Sequence, residues 1–339
     1  MTKYITSERL PELWARLADR GPLYLPVNEG TAVAFRAWEE GKEVNLEAVN
    51  STVSPKEIFL PAWETYLKFE RAGKKLALAP ADANGLARPV TAFGLRPCDL
   101  RAIELLDLVF VEQDPPDELY TRRRKNTTIV ALACSQPDPF CFCTAFGIEP
   151  TDAPGADVLA WKTGNRLFME ARTPRGEDWL EENSRLLQEA EGVEKPPPVE
   201  SADFGLALEG LPENLKGRFE DPIWDQIYRS CLGCGICTYI CPTCYCFDIQ
   251  DYGHQEQGER FRCWDSCQFS HYTLTAGGNN PRPTRKERVR NRFLHKLQFY
   301  PERYEEFGCV GCGRCLRSCP VGIDMVSVIR ALGGETVAR

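Results

Sequence analysis

The chain has 339 residues, 43% of them apolar, enough to bury a core and to form two domains. A net charge of −8 excludes a nucleic-acid partner, because neutralising phosphates takes a basic footprint. No run of eighteen apolar residues occurs, so no membrane span is expected. Sixteen cysteines follow an N-terminus, "MTKYITSERLPELWARL", that lacks an apolar secretory core, which predicts a reducing cytoplasmic setting where thiols bind metal.

An amphipathic helix is expected around Leu10 to Leu17, then β-prone runs "PLYLPV", "TAVAFRAW", "TYLKFER", "KLALAP" and "PVTAFGL". In "PCDLRAIELLDLVF", Leu100, Ile103, Leu106 and Val109 recur at helical spacing, with Asp99 as the expected N-cap. "NTTIVALAC" reads as a buried strand ending at Cys134. Strand, helix, strand predicts a βαβ unit with parallel strands. Cys98 and Cys134 would then emerge at one C-terminal sheet edge, where open α/β sheets bind ligands. "CFC" adds Cys141 and Cys143 to that edge. These four cysteines form a candidate extra iron–sulfur site, although free buried cysteines are more often ordinary core residues.

"EKPPPVES", near 195 to 200, reads as a linker. It divides a mixed α/β domain, 1–200, from a second domain, 201–339. The second domain opens on "CLGCGICTYICP" and closes on "CVGCGRCLRSCP", both of the form C-x2-C-x2-C-x3-C-P. In that pattern three thiolates wrap one 4Fe-4S cube and the fourth reaches a second cube. The expected sets are crossed: Cys231, Cys234, Cys237 and Cys319 on one cluster, Cys309, Cys312, Cys315 and Cys241 on the other. The glycines suit a tight loop whose amides approach sulfur, and Pro242 and Pro320 suit a helix start after each fourth cysteine. Zinc would be satisfied by two C-x2-C pairs and would leave the remaining thiols unused.

The long insert between the runs carries "RKERVRNRFLHKLQFY", which favours an α-helical ferredoxin domain and an overall α+β class. Cys244, Cys246 and "CWDSC", with Cys263 and Cys267, are a weaker candidate site that also suits a redox dithiol or plain packing. The basic run Arg282 to Lys296 reads first as a solvated helix face, and second as charge compensation for anionic clusters or a dock for an acidic partner. Only three histidines, His254, His271 and His295, are present, and neither GxGxxG nor GxxxxGK[ST] occurs. The chain is not expected to bind its own nucleotide.

Together "RPCDLRAI", "CFCTAFG", "CLGCGICTYICPTCYC", "WDSC", "RNRFLHK" and "CVGCGRCLRSCP" resemble, over most of the chain, the iron–sulfur β subunit of cytoplasmic sulfhydrogenases and the corresponding iron–sulfur component of anaerobic sulfite reductase. The resemblance implies an electron-transfer subunit with two 4Fe-4S clusters. Its partners would be a flavin subunit handling NAD(P)H and a catalytic subunit bearing nickel–iron or sirohaem. The resemblance takes in Cys98, Cys134, Cys141, Cys143, Cys244, Cys246 and Cys267, and so raises the prospect of one or two further clusters. Cys263 stands outside the favoured set. Related modules occur in heterodisulfide-reductase-like complexes, so the alternative is a catalytic iron–sulfur subunit that acts on disulfide or sulfur. A zinc-stabilised scaffold is the third reading.

Overall fold

A computed structural model describes residues 1–80, 88–190, 204–254 and 256–333, with positions 192, 196, 198 and 199. The expected linker lies largely outside the described residues. The fold mixes helices with two sheets, as the α+β expectation required.

The strands are β1 (Thr2–Thr6), β2 (Leu23–Glu29), β3 (Ala32–Ala37), β4 (Trp63–Ala72), β5 (Lys75–Pro80), β6 (Val90–Leu95), β7 (Thr127–Leu132), β8 (Val158–Thr163), β9 (Arg166–Ala171), β10 (Gln188–Glu189), β11 (Phe247–His254) and β12 (Gln257–Trp264). The first sheet runs β10-β1-β9-β8-β7-β6-β2-β3, with β2, β6, β7 and β8 parallel at its centre. Central parallel strands are covered on both faces, and β7 shows it. Ile129 and Ala131 point into one core and Val130 and Leu132 into the other. The helix Leu10–Arg20 covers the second face with Leu13, Trp14 and Leu17, and Pro97–Phe110 covers the first. Each large apolar side chain so buried contributes about 1.5–3 kcal/mol.

The βαβ reading holds: β6 and β7 are parallel, with Ala92 opposite Ile129. Two details differ. The helix starts at Pro97 with Arg96 as its N-cap, and Asp99 sits one turn inside, where its carboxylate accepts the Arg96 backbone N–H at 3.3 Å. Strand β7 stops at Leu132, short of Cys134, which lies in the loop beyond the sheet edge.

The second sheet, β11-β12-β4-β5, joins strands far apart in sequence. Its β11–β12 hairpin occupies the first part of the insert between the cysteine runs, so the insert is not all helix. Arg262 on β12 lies opposite Glu64 on β4, bonds its carboxylate at 2.7 Å, and reaches Asp117 at 2.5 Å. Trp63 stacks on Phe261 with ring centroids 3.6 Å apart. The helices Leu211–Lys216, Ile223–Ser230, Arg285–Leu294 and Met325–Gly333 close a third core around Trp224, Phe293 and Ile329. Phe142, from the "CFC" loop, is buried in that core.

Candidate metal centres

Each ferredoxin-type run folds as a loop followed by a short helix. Gly235 and Gly313 adopt φ of 76° and 74° and precede the helices Ile236–Tyr239 and Arg314–Ser318, which carry Cys237 and Cys315. Side chains rarely tolerate that left-handed backbone. The helix thus lies inside each run, whereas Pro242 and Pro320 occupy turns, contrary to the expected helix start. Backbone amides aim at sulfur: Gly233 N–H donates to Cys231 Sγ at 3.3 Å, Gly311 N–H to Cys309 Sγ at 3.5 Å, and Ile323 N–H to Cys319 Sγ at 3.3 Å.

One pocket is lined by Cys231, Cys234 and Cys237 and, from the other run, by Cys315 and Cys319. Beside it, the Cys309, Cys312 and Cys315 thiols face one another and Cys241 from the first run. Burial pushes Cys309 and Cys315 up to about 12, so bare thiolates are disfavoured until a metal takes the proton's place. Cys241 is the exception: a hydrogen bond from Cys244 holds its thiol well below the ordinary value, against burial, and Lys296 and Arg292 add to it.

The N-terminal candidates also converge. Cys141 faces Cys143, Cys312 and Cys134, and Cys98 faces Cys312 and Cys143. Burial lifts Cys141 and Cys143 to about 12. Their loop is fitted against the second run through Gly311 and Gly313. The Phe142 N–H donates to the Gly311 carbonyl at 2.8 Å. A Cβ on Gly311 would stand 2.5 Å from the Phe142 carbonyl oxygen, and one on Gly313 2.3 Å from that of Phe140. Asn50 spans the junction, donating to the Cys312 carbonyl with its Nδ2 3.8 Å from Cys141 Sγ.

Cys244, Cys246 and Cys267 line a further pocket with Tyr272, Arg282 and His295. Cys263 does not line it and faces Asp248 and Asp265 from β12.

The basic run is solvated only at its start, where Arg285 is exposed. Arg288, Arg290, Arg292 and Lys296 are all buried. Arg292 lines both the first pocket and the Cys244 pocket, and the thiols of Cys237, Cys244 and Cys315 hold its charge in place against burial. The Lys296 ammonium donates to Thr243 Oγ1 at 2.6 Å and to the Gly308 carbonyl at 2.7 Å. Lys56 donates to the Cys244 carbonyl at 2.9 Å and sits 4.2 Å over the Trp264 ring. Arg314 pairs with Asp99 at 2.7 Å, both buried, tying the second run to the helix Pro97–Phe110. Sequence reasoning misses Lys56, Arg96 and Arg314, because no local pattern marks a cation whose partners come from another part of the chain.

These residues fit iron–sulfur clusters. Cysteines around a pocket, amides aimed at sulfur and buried cations are what an anionic cluster requires.

The chain is an iron–sulfur protein: residues 230–323 match the family model described as a 4Fe-4S dicluster domain. It is also 32% identical, over 331 residues, to sulfhydrogenase 2 subunit beta of Pyrococcus furiosus, covering 95% of this chain and 96% of that one. The chain belongs to the sulfhydrogenase β-subunit family. No solved structure matches it. Among the described residues no helix is long and apolar enough to cross a membrane.

Proposed function

We propose that the chain is a non-catalytic electron-transfer subunit of a cytoplasmic multi-subunit oxidoreductase. It would relay electrons between a flavin subunit using NAD(P)H and a catalytic subunit of nickel–iron, sirohaem or heterodisulfide-reductase-like type. Cys231, Cys234, Cys237 and Cys319 hold one 4Fe-4S cluster, and Cys241, Cys309, Cys312 and Cys315 the other. Cys98, Cys134, Cys141 and Cys143 hold a third. When bound, each cluster accepts and releases one electron.

What this chain contributes is placement, dryness and charge. The crossed runs fix two ligand sets against each other around the helix Arg285–Leu294. Phe142, Val289 and Phe293 exclude water from that side. Arg292, Lys296 and Lys56 balance thiolate charge that burial would otherwise penalise. The observation that carries the reading is the pocket in which Cys319 joins the cysteines of the distant first run. The helical elements of 201–339 are in this reading an α-helical ferredoxin domain, extended by a β hairpin that reaches back to the mixed domain of 1–200.

The test is to load the isolated chain anaerobically and follow its EPR signals. With NAD(P)H alone the clusters should stay oxidised and EPR-silent. Adding the flavin subunit should reduce them, and adding the catalytic subunit with its acceptor should reoxidise them. The rival, a catalytic subunit that works on disulfide or sulfur, draws on the Cys244 pocket. It would be supported if the isolated loaded chain, given only a chemical reductant, consumed such a substrate.

A further inference from the structure

The two ferredoxin-type cysteine sets differ in how far they lie from solvent. Among the described residues, which include all sixteen cysteines, Cys234 is the one exposed cysteine. Cys312 of the second set is buried, and the loop around it is closed over by the backbone of Phe140 and Phe142 at Gly313 and Gly311. Electron tunnelling falls steeply with distance, so of the two sets a partner's redox centre comes nearer to the one at Cys234.

The surface there is not an ordinary polar loop. Leu232 and Ile236, two residues either side of Cys234, are 61% and 38% exposed. Pro320, also exposed, and Val321 line the same opening from the other run. Single exposed apolar residues need no explanation, but a contiguous apolar collar marks a contact site. Its flank is cationic. Arg229, exposed in the last turn of the helix Ile223–Ser230, has no ion pair among the described residues. Arg285 is exposed at the start of the helix Arg285–Leu294, and its Nη1 donates to the Cys231 carbonyl at 2.6 Å, which holds it beside the opening. Among the described residues no carboxylate lines the opening, and Asp225, on the helix that ends at Ser230, is already paired with Lys286 at 2.8 Å. A cationic and apolar face on a chain of net charge −8 selects a partner by charge as well as by shape.

We infer that the face around Cys234 is the docking site for a one-electron partner protein that presents an acidic surface around its own redox centre. The inference rests on the relay reading above and adds where one partner sits and what charge it carries. Each encounter moves one electron: the reduced cluster gives it up, the partner's centre takes it, and no covalent bond forms or breaks. Leu232, Ile236 and Pro320 exclude water from the contact, and Arg229 and Arg285 orient the approach.

The test uses the full chain, loaded and reduced anaerobically, mixed in stopped flow with rubredoxin, an acidic iron protein, and with cytochrome c, a basic haem protein. Two acidic proteins repel overall, so net charge alone predicts a rubredoxin rate that rises with salt, whereas the docking site predicts one that falls as its local attraction is screened. Arg229→Glu/Arg285→Glu should slow the rubredoxin reaction about tenfold at low salt without slowing cytochrome c. Leu232→Gln should slow it several-fold and leave its salt dependence unaltered. Arg229→Lys should match wild type, as should Lys125→Glu, an exposed position at the N-terminal edge of β7. EPR of each variant checks that both clusters are present. A rubredoxin rate unmoved by the arginine and leucine variants, or a wild-type rate that rises with salt, overturns the inference. If the variants fail to load, the wild-type salt dependence decides. Clusters that in those cases still pass electrons to methylene blue leave the relay standing, whereas clusters that pass electrons to no acceptor sink the relay and this inference with it.

Discussion

Replacing Arg292 with glutamine removes one buried positive charge from between two cysteine sets. Its guanidinium is 3.7 Å from Cys244 Sγ and shares a pocket with Cys231, Cys234, Cys237 and Cys319. Taking roughly 6 Å to the middle of the nearer cluster and an effective dielectric of about 20, the charge is worth about 3 kcal/mol. For a one-electron couple that corresponds to roughly 120 mV. A cation favours the more negative, reduced state, so the variant should move at least one cluster potential down by about 100 mV. Arg292→Lys, which keeps the charge, should recover most of the shift. The assay is an EPR-monitored redox titration of wild type and both variants. Potentials unchanged in the glutamine variant would show that the buried arginine does not set cluster charge, and the reasoning about the basic run would fall.

Gly311→Ala places a Cβ 2.5 Å from the Phe142 carbonyl at a φ of 60°. The strain, on the order of 2 kcal/mol, should lower the thermal midpoint by roughly 5 °C, whereas alanine at Gly217, where a Cβ meets nothing within 4 Å, should leave it nearly unchanged. Burial, with Lys296 and Arg282, depresses His295 to about 4. The folded state therefore favours neutral imidazole. This contribution, roughly 3 kcal/mol, is present above the ordinary histidine range and is lost as pH falls from about 6.5 to about 4. Denaturant melts at pH 7 and pH 5 should show this loss in wild type and a smaller one in His295→Gln, and equal losses would refute it. Arg262→Ala strips Glu64 and Asp117 of a partner. It should cost about 3–5 kcal/mol, read as faster hydrogen exchange across β4 and β12, and unaltered exchange would contradict the ion pair's role.

The ferredoxin-type cysteines were legible because their spacing is local and twice repeated. The βαβ unit was legible because β6 and β7 are apolar runs flanking a helix of clear period. The β11–β12 hairpin was not. Its first strand, "FDIQDYGH", is largely exposed and has no apolar alternation, and it is held through β12 by a partner strand near residue 65. The hairpin β8–β9 also escaped, although its turn carries Gly164 with φ of 60°, because the "VLAW" and "LFM" runs flanking that turn are buried on both faces and show no period-2 alternation. The run from Arg282 to Lys296 suggested solvent because charge usually faces water. Only the fold brings Cys237, Cys244 and Cys315 against Arg292.

The central claim is that two ligand sets are shared between the cysteine runs. The most direct measurement is iron anomalous scattering from crystals of the anaerobically isolated chain. The account predicts one four-iron peak bounded by Cys231, Cys234, Cys237 and Cys319, and another bounded by Cys241, Cys309, Cys312 and Cys315. Clusters each confined to a single run, or single-atom peaks at the zinc edge, would contradict it.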